Sequence, residues 1–448
     1  MSTDAAWWDL PSGMPTWLQA LFWLAFAAMV LTCAQTVAIA VAAVLGRRAQ
    51  RRPAQPRPAA VSAESDFLWV FLVPALNEEV TIADSVARLQ RIRATHKVML
   101  VIDDGSDDGT AAVLAGIDDP ALRVLTRHLP EARRGKAAAL NAGYAHVRDR
   151  LLSDPAYAGF DPTRTVVAVV DADGRLDEDG PAVLAAHFAD PAVGGVQVLV
   201  RIYNRTCALT RVQDLEFGVF GHLMQAGRAR WGSANMGGNG QFNRLAALES
   251  VRAADGPWRD RLTEDQDLGV RLVQRGWRGV QENRVSVHQQ GLTSLRRLYR
   301  QRTRWAQGAW QALALMPRVG AMPHPRRARL DAVVYLASPV LQLVVAVELL
   351  LAAAYDVASG TDPFTSHAAP LLVLLLPAAV AFVPALVIAG VSRAGSTGRL
   401  PVSLGSGLLY PLYTWLLLPT LLLALARQLS GATSWAKTAR EPLGATQA

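Results

Sequence analysis

Apolar residues are unevenly spread along this chain. They collect in four long blocks, Thr16 to Gly46, Leu330 to Tyr355, Pro370 to Val391 and Val402 to Leu425. Each is near the ~20 residues that a helix needs to cross a bilayer. Between the first and second blocks the pattern changes character, and short apolar runs of strand length alternate with helical segments. Phe67 to Val73, Lys97 to Ile102, Arg123 to Leu125, Thr165 to Val170 and Gly195 to Val200 read as five strands. Strands alternating with helices predict a mainly parallel sheet, and in such sheets ligands bind at the carboxyl ends of strands. After the first strand, PALNEE predicts a helix capped by Asn77, with Glu78 and Glu79 in its first turn. DDGSDDGT follows the second strand and DADG the fourth, so two acidic motifs stand at predicted strand ends.

Composition and charge add a direction to this layout. A chain of 448 residues holds one to three domains, and its apolar content of 51% is concentrated in the four blocks. The first block has no cationic segment before it and five arginines after it, which predicts an uncleaved anchor rather than a secretory signal. The net charge of +8 is local. Arg47, Arg48, Arg51, Arg52 and Arg57 follow the first block; Arg296, Arg297, Arg300, Arg302 and Arg304 form a second cluster; Arg326, Arg327 and Arg329 precede the second block. Basic residues at span ends mark the cytoplasmic side, which predicts an N-terminus outside and residues 47 to 329 on the cytoplasmic side of a plasma membrane. Three later spans then carry the C-terminus outside, against which Arg427, Lys437 and Arg440 argue mildly. Membrane adjacency accounts for all three clusters, so no nucleic acid is expected as a partner. Cys33 and Cys207 alone give neither a disulfide framework nor a metal site.

The acidic motifs are weak signals singly. Asp and Gly after a strand are ordinary turn residues, and Lys136 in RRGKAAALN reads equally as a solvated helix lysine. Taken together they constrain one another. A nucleotide-sugar site needs an acceptor for the base, neutralisation of a diphosphate and a base for the incoming hydroxyl. Asp104 suits the uracil N–H. Asp171 and Asp173, spaced i, i+2, suit Mg²⁺ or Mn²⁺, hard ions that share carboxylate oxygen with substrate phosphates. Lys136 offers a compact positive charge. LTEDQDLG supplies Glu264, Asp265 and Asp267 at a helix start, and glycine-rich MGGNGQF (Met236 to Phe242) is either a close backbone approach to a ligand or a plain turn.

QRTRW, Gln301 to Trp305, sets these motifs in order. Thirty-five residues separate Asp265 from Gln301. An aspartate, an Asp-x-Asp, a third aspartate and, at that distance, Gln-Arg/Gln-x-Arg-Trp resemble the processive family 2 glycosyltransferases: cellulose, chitin-oligosaccharide, hyaluronan and poly-N-acetylglucosamine synthases. The motifs span roughly residues 67 to 310. One span before the catalytic domain and three after it look most like the chitin-oligosaccharide synthases.

The resemblance implies an α/β GT-A (Rossmann-like) catalytic domain with an α-helical transmembrane region. It implies an inverting hexosyltransferase that moves a sugar from UDP-glucose or UDP-N-acetylglucosamine to a growing β-linked glycan, with coupled translocation. Asp104 would bind uridine with Glu78 nearby. Lys136 would contact the diphosphate, and Asp173 with Asp171 would hold the metal. Asp265, beside Glu264, would be the catalytic base, and Gln301, Arg304 and Trp305 would complete the site. The expected divisions are an anchor over 1–46, a basic linker over 47–65, the GT-A domain over 66–292, an amphipathic interfacial helix over 293–316, three transmembrane helices over 330–427 and a tail over 428–448. UDP-sugar, glycan acceptor and membrane lipids are the expected partners, with room for an accessory export subunit.

This chain departs from the family pattern in places. Leu76 stands where many relatives carry an aromatic, and GGNGQFNR differs from the cysteine-containing loops of cellulose and chitin synthases. No PilZ-like domain follows the spans, so control by cyclic di-GMP is not expected within this chain. Two other readings compete. Single-transfer glycosyltransferases of membrane lipids, such as ceramide glucosyltransferases, share the Asp-x-Asp and an arginine–tryptophan motif. A transporter with a sugar-binding domain would concentrate ionisable residues in the spans, where only Glu348 sits deep. That glutamate is expected to face protein or a water-filled path, because a charge at a helix centre costs about 2.5–3.5 kcal/mol on insertion scales.

Overall fold

The structure, a computed structural model, describes residues 14–51, 63–360, 368–396 and 398–432. Most of the basic linker, with Arg52 and Arg57, and the tail beyond residue 432, with Lys437 and Arg440, lie outside the described residues.

All five expected strands form. They are β1 (Leu68–Ala75), β2 (Lys97–Asp103), β3 (Leu122–Thr126), β4 (Thr165–Val169) and, after the two-residue β5 (Arg175–Leu176), β6 (Val193–Ile202). β7 (Gln241–Arg244) and β8 (Arg278–Gln289) complete an eight-stranded sheet in the order β3-β2-β1-β4-β7-β6-β8-β5. The sheet is mixed. β1 pairs in parallel with β2 and β4, β6 with β8, while β7 runs antiparallel to both β4 and β6. β1 shows why the centre holds. Trp69, Phe71 and Val73 enter one apolar layer and Leu68, Val70 and Leu72 the other, the two-sided burial expected of a parallel core strand.

After the N-terminal α1 (Thr16–Arg51), the helices ahead of the C-terminal apolar region begin with α2 (Ile82–Gln90), α3 (Thr110–Ala115), α4 (Lys136–Asp149), α5 (Gly180–Phe188) and α6 (Ala208–Val219). α2, α3 and α5 cover the Trp69 face, and α4 covers the Leu68 face. α7 (Ala226–Trp231), α8 (Leu245–Ser250) and α9 (Glu264–Gln274) follow, and the long α10 (Leu295–Ala312) ends in a 3-10 turn over Leu313–Arg318. The C-terminal region comprises α11 (Arg326–Ser359), α12 (Ala368–Ser392), α13 (Leu400–Leu416) and α14 (Pro419–Leu429).

Among the described residues three helices are long and apolar enough to cross a membrane by length and composition: Thr16–Gly46, Arg326–Ser359 and Leu400–Leu429. The last comprises α13 and α14, interrupted just before Pro419. The block Pro370 to Val391 is helical, but its described apolar stretch, Phe382–Ser392, is shorter than a span. Buried polar groups fasten these helices to the sheet domain. Asp214 on α6 is fully buried and accepts from Arg201, from the Ile202 amide and from the Gly395 amide between α12 and α13. Asp331 on α11 accepts from Arg228 on α7 at 2.8 Å and from Gln35 on α1 at 2.6 Å. α1 crosses α7 so closely that a Cβ at Gly227 would stand 2.3 Å from the Ile39 carbonyl oxygen. Glu348 is buried, at 2% exposure.

One local expectation fails. α2 begins at Ile82, and Asn77 is not its cap. Asn77 adopts a left-handed φ of 54°, its amide donates to Ser106 Oγ at 2.9 Å, and its side chain bonds Asp107 at 2.6 Å. The turn after β1 is thus latched to the turn after β2, and Asn, which tolerates left-handed backbone, makes the latch.

Candidate active site

The carboxyl ends of β1, β2 and β4 open onto one cleft edge. Asp104, at the end of β2, is buried and donates its amide to Ala75 O at 2.8 Å. Its carboxylate pairs with Arg127, just beyond β3. Burial pushes the Asp104 carboxyl above its ordinary range, and the Arg127 cation opposes that shift. Glu78, on the turn after β1, is also buried; its amide donates to Thr110 Oγ1 and its carboxylate accepts from the Thr81 hydroxyl at 2.8 Å. Glu78 and Asp104 thus occupy neighbouring turns.

The second group forms where β4 ends. The Asp171 amide donates to Asn239 Oδ1 at 3.1 Å, and Asp173 accepts from the Gln290 amide at 3.1 Å. Asn239 in turn donates to Gln289 at 3.0 Å. The GGNG loop and the end of β8 therefore hold the Asp-x-Asp turn. Lys136, at the first turn of α4, reaches across to Asp171 Oδ1 at 2.6 Å and Glu264 Oε1 at 3.7 Å. Burial alone would lower the Lys136 pKa, but Asp171, Glu264 and Asp265 together push it up, so the ammonium stays charged.

Glu264 and Asp265 open α9. Burial raises the Glu264 carboxyl to about 7, with Asp265 adding to the rise and Lys136 and Arg304 opposing it. Asp265 is raised in the same direction, again chiefly by burial. Asp265 Oδ2 lies against the GGNG loop. A Cβ at Gly238 would meet it at 2.8 Å, and the φ of 82° there also demands glycine. The glycine-rich stretch is thus both a turn and a close approach. Two carboxyls and one cation, packed with raised carboxyl pKa values, are the arrangement from which general bases are drawn.

α10 brings QRTRW to this group. Arg304 donates to Leu262 O at 3.2 Å, Gln311 accepts from the Leu262 amide at 3.0 Å, and Gly308 lies between them against Thr263. These three positions share one face of the helix. A Cβ on Gly308 would come within 2.2 Å of Thr263 Oγ1. The conserved-looking spacing is therefore a packing distance: α10 must run tightly past the turn that presents Glu264 and Asp265. Gln301 and Trp305 look elsewhere. Gln301 Oε1 accepts from Arg302 Nη1 at 2.8 Å, and the Arg302 guanidinium lies 4.0 Å over the Trp305 ring. The Trp305 indole has one face covered by this cation, while Phe217 meets it edge-on with centroids 6.3 Å apart. Arg302 is buried, pairs with Glu216 on α6, and bonds the Tyr413 hydroxyl on α13 at 3.1 Å.

Arg127, Asn239 and Arg302 were missed from the sequence. Arg302 and Asn239 lie inside motifs already singled out, so their signal was present; Arg127 is an isolated polar residue whose partner, Asp104, is distant in sequence.

Among the described residues no cluster of three or more His, Cys, Asp or Glu side chains forms a closed metal cage. The donor chemistry at Asp171 and Asp173 nonetheless fits a hard divalent ion. Both carboxylates leave one tight turn at a strand end, and Mg²⁺ or Mn²⁺ commonly takes one or two carboxylates and completes its shell with phosphate and water.

Residues 69–308, more than half of the chain, match the family described as glycosyltransferase like family 2. The chain is 32% identical over 248 residues to a β-monoglucosyldiacylglycerol synthase of Synechocystis, covering 54% of this chain and 47% of that protein. It is 29% identical over 246 residues to a poly-β-1,6-N-acetyl-D-glucosamine synthase of Staphylococcus aureus, covering 54% and 55%. It thus spans about half the length of the curated relatives it matches. A mannosyltransferase of Pyrobaculum calidifontis, solved with GDP-Man and Mn²⁺, superimposes with a TM-score of 0.57 at 22% identity, over 91% of this chain and 99% of that one. That likeness establishes the GT-A fold.

Proposed function

The chain belongs to glycosyltransferase-like family 2, and from that premise we propose that it moves a glucosyl or N-acetylglucosaminyl unit from a UDP-sugar, with inversion, onto a growing β-linked glycan at the inner face of the plasma membrane. The observation that carries this reading is the Lys136 ammonium, held between Asp171 and Glu264 next to Asp265. In this reading one half-buried cation faces the place for a diphosphate, with the carboxyl pair beside it.

Each residue then has a task. Asp104, with Arg127 fixing its carboxylate, accepts the uracil N–H, and Glu78 closes the same end. Lys136 neutralises charge that grows on the departing diphosphate, an interaction stronger in the transition state than in the ground state. Asp171 and Asp173 would hold Mg²⁺ or Mn²⁺, which supplies Lewis-acid stabilisation of the leaving group when bound. Asp265 takes the proton of the acceptor hydroxyl as the C–O bond forms. Burial raises the Asp265 carboxyl, Lys136 beside it opposes that rise, and Glu264 shares the same cation. Arg304 pins the Leu262 carbonyl, positioning that turn. Gln301 and Trp305, tied together through Arg302, are assigned to the acceptor side of the site. The long apolar helices keep α10 at the membrane surface, with the sheet domain in the cytoplasm and a multi-pass path for export.

A membrane lipid as single-use acceptor is the second reading. It is favoured by the likeness to a glycosyldiacylglycerol synthase. One experiment separates the two. The purified full chain in lipid nanodiscs is supplied with UDP-glucose or UDP-N-acetylglucosamine and Mn²⁺; UDP release is followed, and products are sized. A ladder of glycans supports polymerisation, a single glycolipid supports lipid transfer, and no UDP release with either donor refutes the donor assignment.

A further inference from the structure

α9 carries Glu264 and Asp265 at its start and a different kind of site at its end. A cleft of about 410 Å³ is lined by Val251, Arg259, Arg271, Gln274, Arg275, Arg318 and Ala321. Four guanidinium groups converge there from three segments: the loop after α8, the last turns of α9 and the 3-10 turn that follows α10.

Their charge is poorly answered. Among the described residues the acid paired with these arginines is Asp267. It accepts from Arg271 at 2.5 Å and lies 3.9 Å from Arg259. Arg271 is buried and also donates to the Val251 carbonyl at 2.9 Å and the Pro257 carbonyl at 2.5 Å, so it forms the floor. Burial, with Arg259 and Arg261 as like charges, holds the Arg271 pKa below its ordinary value despite Asp267. Arg275 and Arg318 are exposed at the rim, and among the described residues neither makes an ion pair. Like charges gathered in a concave, partly desolvated place cost free energy unless an anion joins them.

We propose that this arginine-lined cleft is a second binding site, for a phosphate-bearing ligand. Guanidinium forks match phosphate oxygens in pairs. The volume lies within the ~300–1,000 Å³ of small-molecule sites and is ample for more than one phosphoryl group. The site is separate from the diphosphate place of the catalytic centre, because the eleven residues of α9 put about 16 Å of helix between the ends. The phosphate belongs either to a soluble compound or to a lipid headgroup. The headgroup source has a structural basis: Arg318 precedes the apolar α11 by eight residues.

Calorimetry on the full chain in neutral detergent, saturated with UDP and Mg²⁺ to fill the catalytic centre, tests this. The probes are pyrophosphate and dihexanoyl phosphatidylglycerol, with dihexanoyl phosphatidylcholine as control. At least one anionic probe is expected to bind in a salt-sensitive way. Arg275→Gln with Arg318→Gln should weaken it tenfold or more while leaving the affinity for UDP unchanged. Arg318→Gln alone, at an exposed turn, should move it in the same direction should the double variant fold poorly. Pyrophosphate binding alone identifies a soluble phosphate, and phosphatidylglycerol binding alone a headgroup. Failure of the parent to bind either anionic probe, or equal affinity in parent and variants, overturns the proposal.

Discussion

Gly308→Ala offers a sharp test of how α10 and α9 build the site together. In an exposed helix interior this substitution stabilises by about 1 kcal/mol, because alanine loses less backbone entropy. At position 308 the added methyl would lie 2.2 Å from Thr263 Oγ1, 2.5 Å from Thr263 Cγ2 and 2.8 Å from Thr263 Cβ. Rotation of one side chain cannot clear three atoms of the same residue, so the helix or the turn must move. Overpacking of this kind costs typically about 1–3 kcal/mol, which outweighs the propensity gain across most of that range. The displaced turn carries Glu264 and Asp265, and a shift of about 1 Å at a catalytic group costs on the order of 10²-fold in rate. Gly405→Ala on α13 is the control, since nothing lies within 4 Å of its added Cβ. Thermal melting and UDP release are measured on both variants in the same detergent. The expected result is a lower Tm and at least a tenfold slower turnover for Gly308→Ala, with Gly405→Ala at or above the parent in Tm. A Gly308→Ala protein with parental Tm and parental turnover would refute the claim that the motif spacing is a packing distance.

Four further outcomes follow. Asp265→Asn should lower transfer about 10²–10⁴-fold, the usual contribution of a general base, with UDP affinity kept in a titration; turnover within threefold of the parent removes Asp265 from that role. Glu264 is raised from 4.5 to about 7, so its folded state holds a proton that the unfolded state releases, and the associated stability, present below pH 4.5, is lost as pH rises through 7. Stability of the parent relative to Glu264→Gln should therefore fall by up to about 3 kcal/mol between pH 4.5 and 8, and a pH-independent difference would exclude the shift. Chelator-stripped protein should release little UDP until Mg²⁺ or Mn²⁺ is restored; full metal-free activity would remove the role given to Asp171 and Asp173. Arg302→Met should lower the Tm by uncoupling Glu216 and Tyr413 and should weaken acceptor use more than UDP binding, measured as separate KM values; equal effects on both substrates would place Trp305 differently.

The parts of this molecule that were legible in its sequence are those fixed by short-range chemistry. β1, β2 and β4 announced themselves because each is an apolar run, the latter two closed by the acidic turns DDGS and DADG. β7 did not, because QFNR places Gln241 and Asn243 in buried positions at 1% and 0% exposure, the reverse of an apolar strand. β8 is similarly rich in polar residues, and a register shift interrupts its pairing with β6. Asn77 looked like a helix cap because a cap and a turn latch use the same side-chain chemistry. Lys136 could not be told from a surface lysine until Asp171 and Glu264, 35 and 128 positions away by residue number, were placed beside it. Arg302 was hidden in plain view: QRTRW drew attention to Arg304, while the arginine between Gln301 and Thr303 carries the link to α6 and α13.

That link belongs to a wider enclosure, and the enclosure has an order in time. Tyr299 on α10 donates to the Leu416 carbonyl, and Gln307 bonds the Ala432 carbonyl at 2.7 Å, across 125 positions. A ribosome that has finished α10 has yet to make the segment that covers its far side. The newborn helix must wait, basic and amphipathic, while α11 to α14 are made, and the bonds on its far side close only with the last of them. A chain stopped after residue 316 would hold every motif named above and lack the Leu416 and Ala432 carbonyls on which the far side of α10 is seated.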